Sequence, residues 1–441
     1  MSDSNDSQAP ALWGLSRYQW LVLGAAWLGW GFDIFDGLLF NFVSPLCVPS
    51  LLHLTHGSPE AQKAALYWNG VLTSVLLVGW AIGGVVFGRI TDRLGRTRTL
   101  LLTMLTYALG TAACAFAPNL LVLGLFRFIA SLGIGGEWAA GASLVAEAVP
   151  EKQRVRAGAF LYTSAPAGLF LAIFVNDFFT RKLGSTVADP DLAWRAVFLT
   201  GLLPAAVGLL IRLKVKEPGR WRPSEVPPKL AEIFTPALKK RTYSGLMVAA
   251  VAILTWWSCN AFLPVVARYL AGVAFPSAAA AELSKAKAEW VTNATLYFNV
   301  GGLIGTLLTI PFAARMGRRP LFFIYFAGSA ISIWLTFGFP LEPAHRLMML
   351  SLVGLTVFGV FGAFPFYLPE LFPTRLRGTG AGFCYNAARA ITAAGPFAVS
   401  TFAASGGNPV DVLRWVAIGP LLGVVFLFAG LGIETKGETL G

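Results

Sequence analysis

The sequence predicts an all-α membrane protein of twelve transmembrane helices, arranged as two pseudo-symmetric six-helix halves. Three observations lead there. Residues 19 to 433 break into twelve apolar stretches, each long enough for the about 20 residues a helix needs to cross a bilayer. Most of the 34 Lys and Arg residues gather in alternate connecting segments. The second half of the chain repeats motifs of the first at a nearly constant offset. Composition agrees: the chain is 56% hydrophobic and 13% charged, with mean hydropathy +0.66. A soluble chain carries about 25% charged residues. In the hydrocarbon core only helices and closed barrels satisfy their own backbone.

In chain order, residues 1–18 form an N-terminal tail. Its start, MSDSNDSQAP, is polar and acidic and lacks the basic n-region of a signal peptide, so the first span is expected to be retained. Six spans follow, at 19–48, 67–90, 98–117, 119–147, 157–182 and 194–213, making an N-terminal bundle over 19–213. Residues 214–242 are a polar loop containing KVKEPGRWRPSEVPPKLAEIF. A C-terminal bundle over 243–433 has spans at 243–272, 289–313, 319–339, 344–369, 379–404 and 412–433, and 434–441 is the tail.

The net charge of +12 is a topology signal. The basic connections include Arg89, Arg93, Arg96 and Arg98; Lys152, Arg154 and Arg156; Arg315, Arg318 and Arg319; and Arg375 and Arg377. Short loops rich in Lys and Arg stay cytoplasmic, which places both termini on the cytoplasmic side of a cell membrane and argues against a nucleic-acid partner. The four cysteines form no paired motif and read as packing residues. The three histidines fall in outer loops, so no metal or other cofactor is expected. There is no G-x-x-x-x-G-K-[ST] phosphate loop, and no catalytic constellation. The expected partners are a small molecule, protons and lipids, and the expected form is a monomer.

The halves match. Glu147, Pro150 and Arg154 recur as Glu370, Pro373 and Arg377, 223 residues on. Phe160 and Tyr162 recur as Phe383 and Tyr385, and Gly95-Arg96 as Gly317-Arg318. Repeated helical halves are the mark of carriers that bind between the halves near mid-membrane.

GRITDRLGRTR (Gly88 to Arg98) resembles the loop signature of the major facilitator superfamily between its second and third helices. RMGRRP (Arg315 to Pro320) resembles the weaker copy after helix eight, with Ala314 where the first half has Asp92. KEPGRW, PELFPTRLRG and ETKGETL resemble sugar-porter signatures. RFIASLGIGGEWAAGASLVAEAVP resembles helix four of the metabolite, aromatic-acid and sialate proton symporters, with Ser131 replacing a usual glycine. FDIFD replaces their D-G-x-D, and YNAAR is similar to their Y-N-x-x-R. The resemblance implies uptake of an organic anion with protons. Sugar, polyol and phosphate carriers share the framework and stay as alternatives, as does a membrane receptor without transport.

Ionisable groups at membrane depth are rare and usually functional. Here they are Asp33, Asp36, Arg127, Glu137 and Arg389, with Asp177 near an outer end. Asp33 and Asp36 share one face of helix one, and close buried carboxylates resist joint ionisation. With Glu137 they are the proton-coupling candidates. Arg127 is within pairing depth of Asp36. Arg389 has Pro166 as its repeat counterpart, so symmetry supplies no structural reason for it. A guanidinium binds a carboxylate through two parallel hydrogen bonds; Arg389 is read as the substrate anchor, with a resting pair to Glu137 as the alternative. Arg127, Asn386, Tyr385, Asn260, Trp257 and Asn299 complete the candidate substrate set, beside Trp256. Asp92 with Arg93 and Arg96, and Glu147 and Glu370 with Arg154 and Arg377, are read as gating ion pairs. Gly133, Gly135, Gly136 and Gly141 read as helix-packing positions.

Overall fold

The computed structural model describes residues 12–56, 58–179, 190–217, 228–392 and 408–438. Among them there is helix and no strand. The first half holds α1 (Arg17–Leu51), α2 (Pro59–Leu94), α3 (Arg96–Cys114), α4 (Leu120–Ala148), α5 (Arg154–Tyr162), α6 (Ser164–Asp177), α7 (Pro190–Leu199) and α8 (Leu203–Lys214). The second holds α9 (Lys239–Ala274), α10 (Ala280–Met316), α11 (Arg318–Phe337), α12 (Pro343–Val357), α13 (Phe364–Glu370), α14 (Arg377–Thr392), α15 (Pro409–Leu413) and α16 (Ile418–Phe428). Helices α5 and α6 together make the fifth span, α7 and α8 the sixth, α12 and α13 the tenth, and α15 and α16 the twelfth. The eleventh span, expected at 379–404, is described only to Thr392.

Among the described residues, ten helical stretches are long and apolar enough to cross a membrane. Helix α3 is not among them because it opens on RTRT and is rich in threonine. Local chemistry sets the starts. Ser16 caps α1 in a reciprocal box with Gln19. Ser58 caps α2, with Pro59 in its first turn, and Asn119 caps α4.

Four spans depart from the expected continuous helices, the sixth through a 3-10 turn, Thr200–Leu202. The fifth breaks at Thr163, whose hydroxyl receives the Trp27 indole N–H at 2.9 Å. The tenth passes through a 3-10 turn, Gly359–Ala363, and the twelfth through another, Arg414–Ala417. The eighth starts at Ala280 rather than 289 because ELSKAKAEW carries the helix on as a polar extension. Inside the 214–242 loop, Leu230–Phe234 forms a short 3-10 turn that buries Ile233.

Glycine sets the closest helix contacts. A Cβ on Gly83 would sit 2.0 Å from the Leu132 carbonyl oxygen, and one on Gly135 2.0 Å from that of Trp80, so α2 and α4 touch backbone to backbone. The second half repeats this between α10 and α12 at Gly301 and Gly354.

The turns between α2 and α3 and between α10 and α11 are also related. Each is made by a glycine with positive φ, Gly95 at 104° and Gly317 at 97°. Each following helix is capped by a distant carboxylate. Glu217 accepts from the backbone N–H of Arg96 (2.7 Å), Thr97 (3.2 Å) and Arg98 (3.0 Å). Glu434 accepts from those of Arg318 and Arg319, both at 2.9 Å. Glu217→Ala and Glu434→Ala are each expected to cost about 1 kcal/mol, read as a lowered melting temperature in detergent. An unchanged melting temperature in both would show that the caps hold nothing.

Candidate functional site

The two halves meet at one end, the basic face, through a symmetric set of ion pairs. Glu147 accepts from Arg96 of its own half at 2.8 Å and from Arg377 of the other half at 2.7 Å. Glu370 accepts from Arg318 of its own half at 2.8 Å and is paired with Arg154 of the other half at 3.4 Å. All six side chains are buried. Each glutamate therefore holds one arginine of its own half and one of the other half.

Asp92 adds a tie without a symmetric mate. It lies in the last turn of α2, not in a loop as its motif suggested. Its carboxylate accepts from the backbone N–H of Gly378 (2.9 Å) and Thr379 (2.7 Å) and from the Thr379 hydroxyl (2.8 Å). It thus caps α14 of the opposite half, where a helix N-terminus favours an anion. Arg96 stands 3.3 Å from Asp92. Arg93, expected to share this role, is exposed. Alongside, Arg375 pairs with Glu232 of the central loop. That hydrogen bond holds the Glu232 carboxyl below its usual range.

Deeper in the bundle, Arg127 of α4 stands 3.7 Å from Asp36. It also donates to the Asp36 and Gly37 carbonyls at 3.2 and 3.1 Å. Thr111 donates its hydroxyl to Asp36. This pair is internal to the first half. Asp33, on the same face of α1, is fully buried, and neither carboxylate oxygen has a hydrogen-bond partner. Glu137 receives the Thr103 hydroxyl at 2.9 Å on one oxygen. The other oxygen is unpartnered and rests on Gly29, where a Cβ would stand only 2.1 Å away.

Arg389 of α14 is buried, and its guanidinium lies between two rings. The Trp80 ring centre is 3.9 Å away and that of Tyr385 is 4.6 Å away. It donates to the Asn386 side-chain oxygen at 2.9 Å, and its Nε has no partner. No ion pair joins it to Glu137, so the alternative of a resting Glu137–Arg389 pair is not what the structure adopts. The reason is local: Glu137 is drawn to Thr103 and Gly29 inside the first half, while the rings hold Arg389. Asn386 has both ends of its amide engaged, with Arg389 and with the Gly382 carbonyl at 2.9 Å. It positions Arg389.

Tyr385 stacks on Trp138 at 4.1 Å with an 11° interplanar angle. Its hydroxyl lies 3.4 Å from that of Tyr162, its repeat counterpart 223 positions earlier. Trp30 meets both Trp138 and Tyr162 edge-on. Trp256 and Trp257 stand at right angles beside Phe358 and Phe361. The indole N–H groups of Trp80, Trp138 and Trp256 are buried without partners. Asn299 is buried and donates to the Thr295 carbonyl of its own helix at 2.8 Å, and Asn260 is half-buried. The side chain of Asp177 lies outside the described residues.

Sequence reading missed Trp30, Trp80 and Trp138. With 14 tryptophans in the chain, nothing local separates those that meet a charge from those that pack. A weak signal was present: Trp80 and Trp138 sit on the same glycine-rich stretches that bring α2 and α4 together. The four cysteines are all free and buried. Among the described residues, no group of three or more His, Cys, Asp or Glu side chains is arranged to hold a metal.

Known proteins agree with this architecture. The family model of the Major Facilitator Superfamily matches residues 26–269, and that of Sugar (and other) transporter matches residues 243–441. The chain is 31% identical over 427 residues to the probable 4-methylmuconolactone transporter of Cupriavidus pinatubonensis, covering 95% of this chain and 90% of that protein. It is 29% identical over 376 residues to the cis,cis-muconate transport protein of Acinetobacter baylyi, covering 84% and 87%. Among solved structures, the proton:xylose symporter XylE bound to 6-bromo-6-deoxy-D-glucose superposes with a TM-score of 0.74 at 19% identity, covering 96% of this chain and 98% of that one. Sequence match, relatives and helical architecture converge: this multi-pass membrane protein belongs to the major facilitator superfamily of transporters.

Proposed function

We propose that the protein imports a small organic anion together with protons by alternating access, as a monomer, with the basic face and both termini in the cytoplasm. One observation carries the reading. Arg389 is a buried cation with no ion pair to a carboxylate among the described residues, at the meeting of the two halves, and its repeat counterpart is Pro166. An uncompensated buried charge costs several kcal/mol, so Arg389 is poised for an anion. The flanking rings of Trp80 and Tyr385 orient the guanidinium fork and favour a flat carboxylate. The two relatives described above are named for a muconolactone and a muconate, which supports the same substrate class. Of the three proton-coupling candidates, Asp33 and Glu137 supply carboxylates for the proton, while Asp36 is paired with Arg127. With the basic-face ties closed, the conformation described here is one whose cytoplasmic gate is shut.

A sugar or polyol carrier is the second reading, favoured by the sugar-transporter match over the second half. Reconstitution separates them. In proteoliposomes with an alkaline interior, benzoate or cis,cis-muconate is expected to accumulate and to leak out on addition of a protonophore. Accumulation of xylose or phosphate in their place would refute the anion reading.

A further inference from the structure

We infer that Asp33 and Glu137 act as one proton site: they share a single proton at rest and take up a second when an anion occupies Arg389. This rests on the reading of the chain as a carrier of organic anions and assigns its coupling device.

Charge and geometry carry it together. The described bundle interior holds three acids, Asp33, Asp36 and Glu137, and two arginines, Arg127 and Arg389. Asp36 and Arg127 neutralise each other within the first half. Two acids then face one cation. Burying a surplus charge costs several kcal/mol, and like charges close together do not both ionise. One proton on the two carboxylates makes the group neutral.

The two acids are placed to share it. One oxygen of Glu137 rests on Gly29. Asp33 follows Gly29 by four residues, one turn along the same face of α1. Three of their four oxygens have no hydrogen-bond partner, an arrangement that a shared proton relieves. Asp33 lies within electrostatic reach of Glu137, Arg389 and Asp36. The other titratable groups around them are phenols: Tyr107 of α3, Tyr162 of α5 and Tyr385 of α14. Phenols ordinarily lose a proton only near pH 10, so they hold theirs throughout.

When a monoanion binds Arg389, the group regains one negative charge. The remaining carboxylate then takes a proton from the water on the open side and becomes a carboxylic acid. Release on the other side reverses both steps. The pair behaves as one macroscopic site, so removing either acid alone leaves a working proton acceptor. Asp36 is not the carrier.

The test uses purified full-length protein in weakly buffered detergent near pH 7, with a pH indicator and benzoate as ligand. Wild type is expected to take up about one proton per benzoate bound. Asp33→Asn, Glu137→Gln and Asp36→Asn should each keep that ratio, while Asp33→Asn/Glu137→Gln together should bring it close to zero. Loss of uptake in one single variant, or its persistence in the double variant, overturns the shared site. Should the double variant fail to bind, wild type in proteoliposomes decides: benzoate import is expected to build no membrane potential, and electrogenic import overturns the inference. If wild type binds no carboxylate, the anion reading itself has failed. If it binds benzoate without proton uptake, only the shared-proton site has.

Discussion

Arg389→Ala is expected to remove carboxylate accumulation and to weaken benzoate binding by about 30-fold or more, since truncating one partner of a buried charge pair costs roughly 2–5 kcal/mol. Three features make this residue decisive. It is held between rings from opposite halves. Its Nε is free. Among the described residues, no carboxylate makes a direct ion pair with it, although Asp33 lies within electrostatic reach. Arg389→Lys keeps the charge but loses the fork and the stacking on both rings, so it should fall between wild type and Ala. Asn386→Ala should act in the same direction more weakly, by releasing the guanidinium from its 2.9 Å hydrogen bond. Equilibrium binding by titration calorimetry and uptake in proteoliposomes measure both steps. Wild-type affinity for an anion in Arg389→Ala would place the substrate elsewhere.

The second large effect concerns the gate. Arg377→Ala removes the 2.7 Å tie between the halves yet leaves Glu147 paired with Arg96. Asp92→Asn removes the negative charge and one of the two oxygens that receive three hydrogen bonds at the α14 N-terminus. A hydrogen bond to a charged group is worth about 1.5–3 kcal/mol. Losing one should therefore move the balance of open and closed states by about tenfold or more. Spin labels at Arg93 and Arg315, both exposed at the basic face on opposite halves, should show a longer-distance population in either variant. Turnover should fall while binding changes little, because the ties lie at the end of the bundle. A distance distribution identical to wild type in both variants would mean that these contacts do not hold the gate.

The symmetry of these ion pairs was readable from the chain alone. The Glu-x-x-Pro-x-x-x-Arg repeat singled out Glu147, Arg154, Glu370 and Arg377, and the structure joins them crosswise. Arg318 was visible only as the mate of Arg96, and its bond to Glu370 is new. Asp92 was expected near arginines. That it also caps a helix of the opposite half required the fold, because its partners are backbone N–H groups, which no side-chain pattern records.

The centre was less readable. All five deep ionisable residues stood out, because a charge in an apolar run is conspicuous at any alignment. How they divide did not. Asp33 and Asp36 look equivalent along one helix face, yet Asp36 pairs with Arg127 and Asp33 has no hydrogen-bond partner. The difference comes from where α4 crosses α1, which brings Arg127 to Asp36 and seats Glu137 on Gly29. Likewise the depths of Glu137 and Arg389 along their helices suggested a pair. Depth fixes one coordinate only, and the rotation of each helix turned them to different neighbours.

What the sequence by itself determined was class, span number, the two-fold repeat and the identity of the buried charges. These follow from apolar run length, loop charge and motif spacing, which are properties of short segments. Only the tertiary structure decided which charges pair, which stay unpaired, that tryptophans from the first half enclose Tyr385 and Arg389 of the second, and that the basic face is closed. Those depend on helix rotation and crossing. They are governed by contacts between residues hundreds of positions apart, where the bilayer imposes burial but no particular partner.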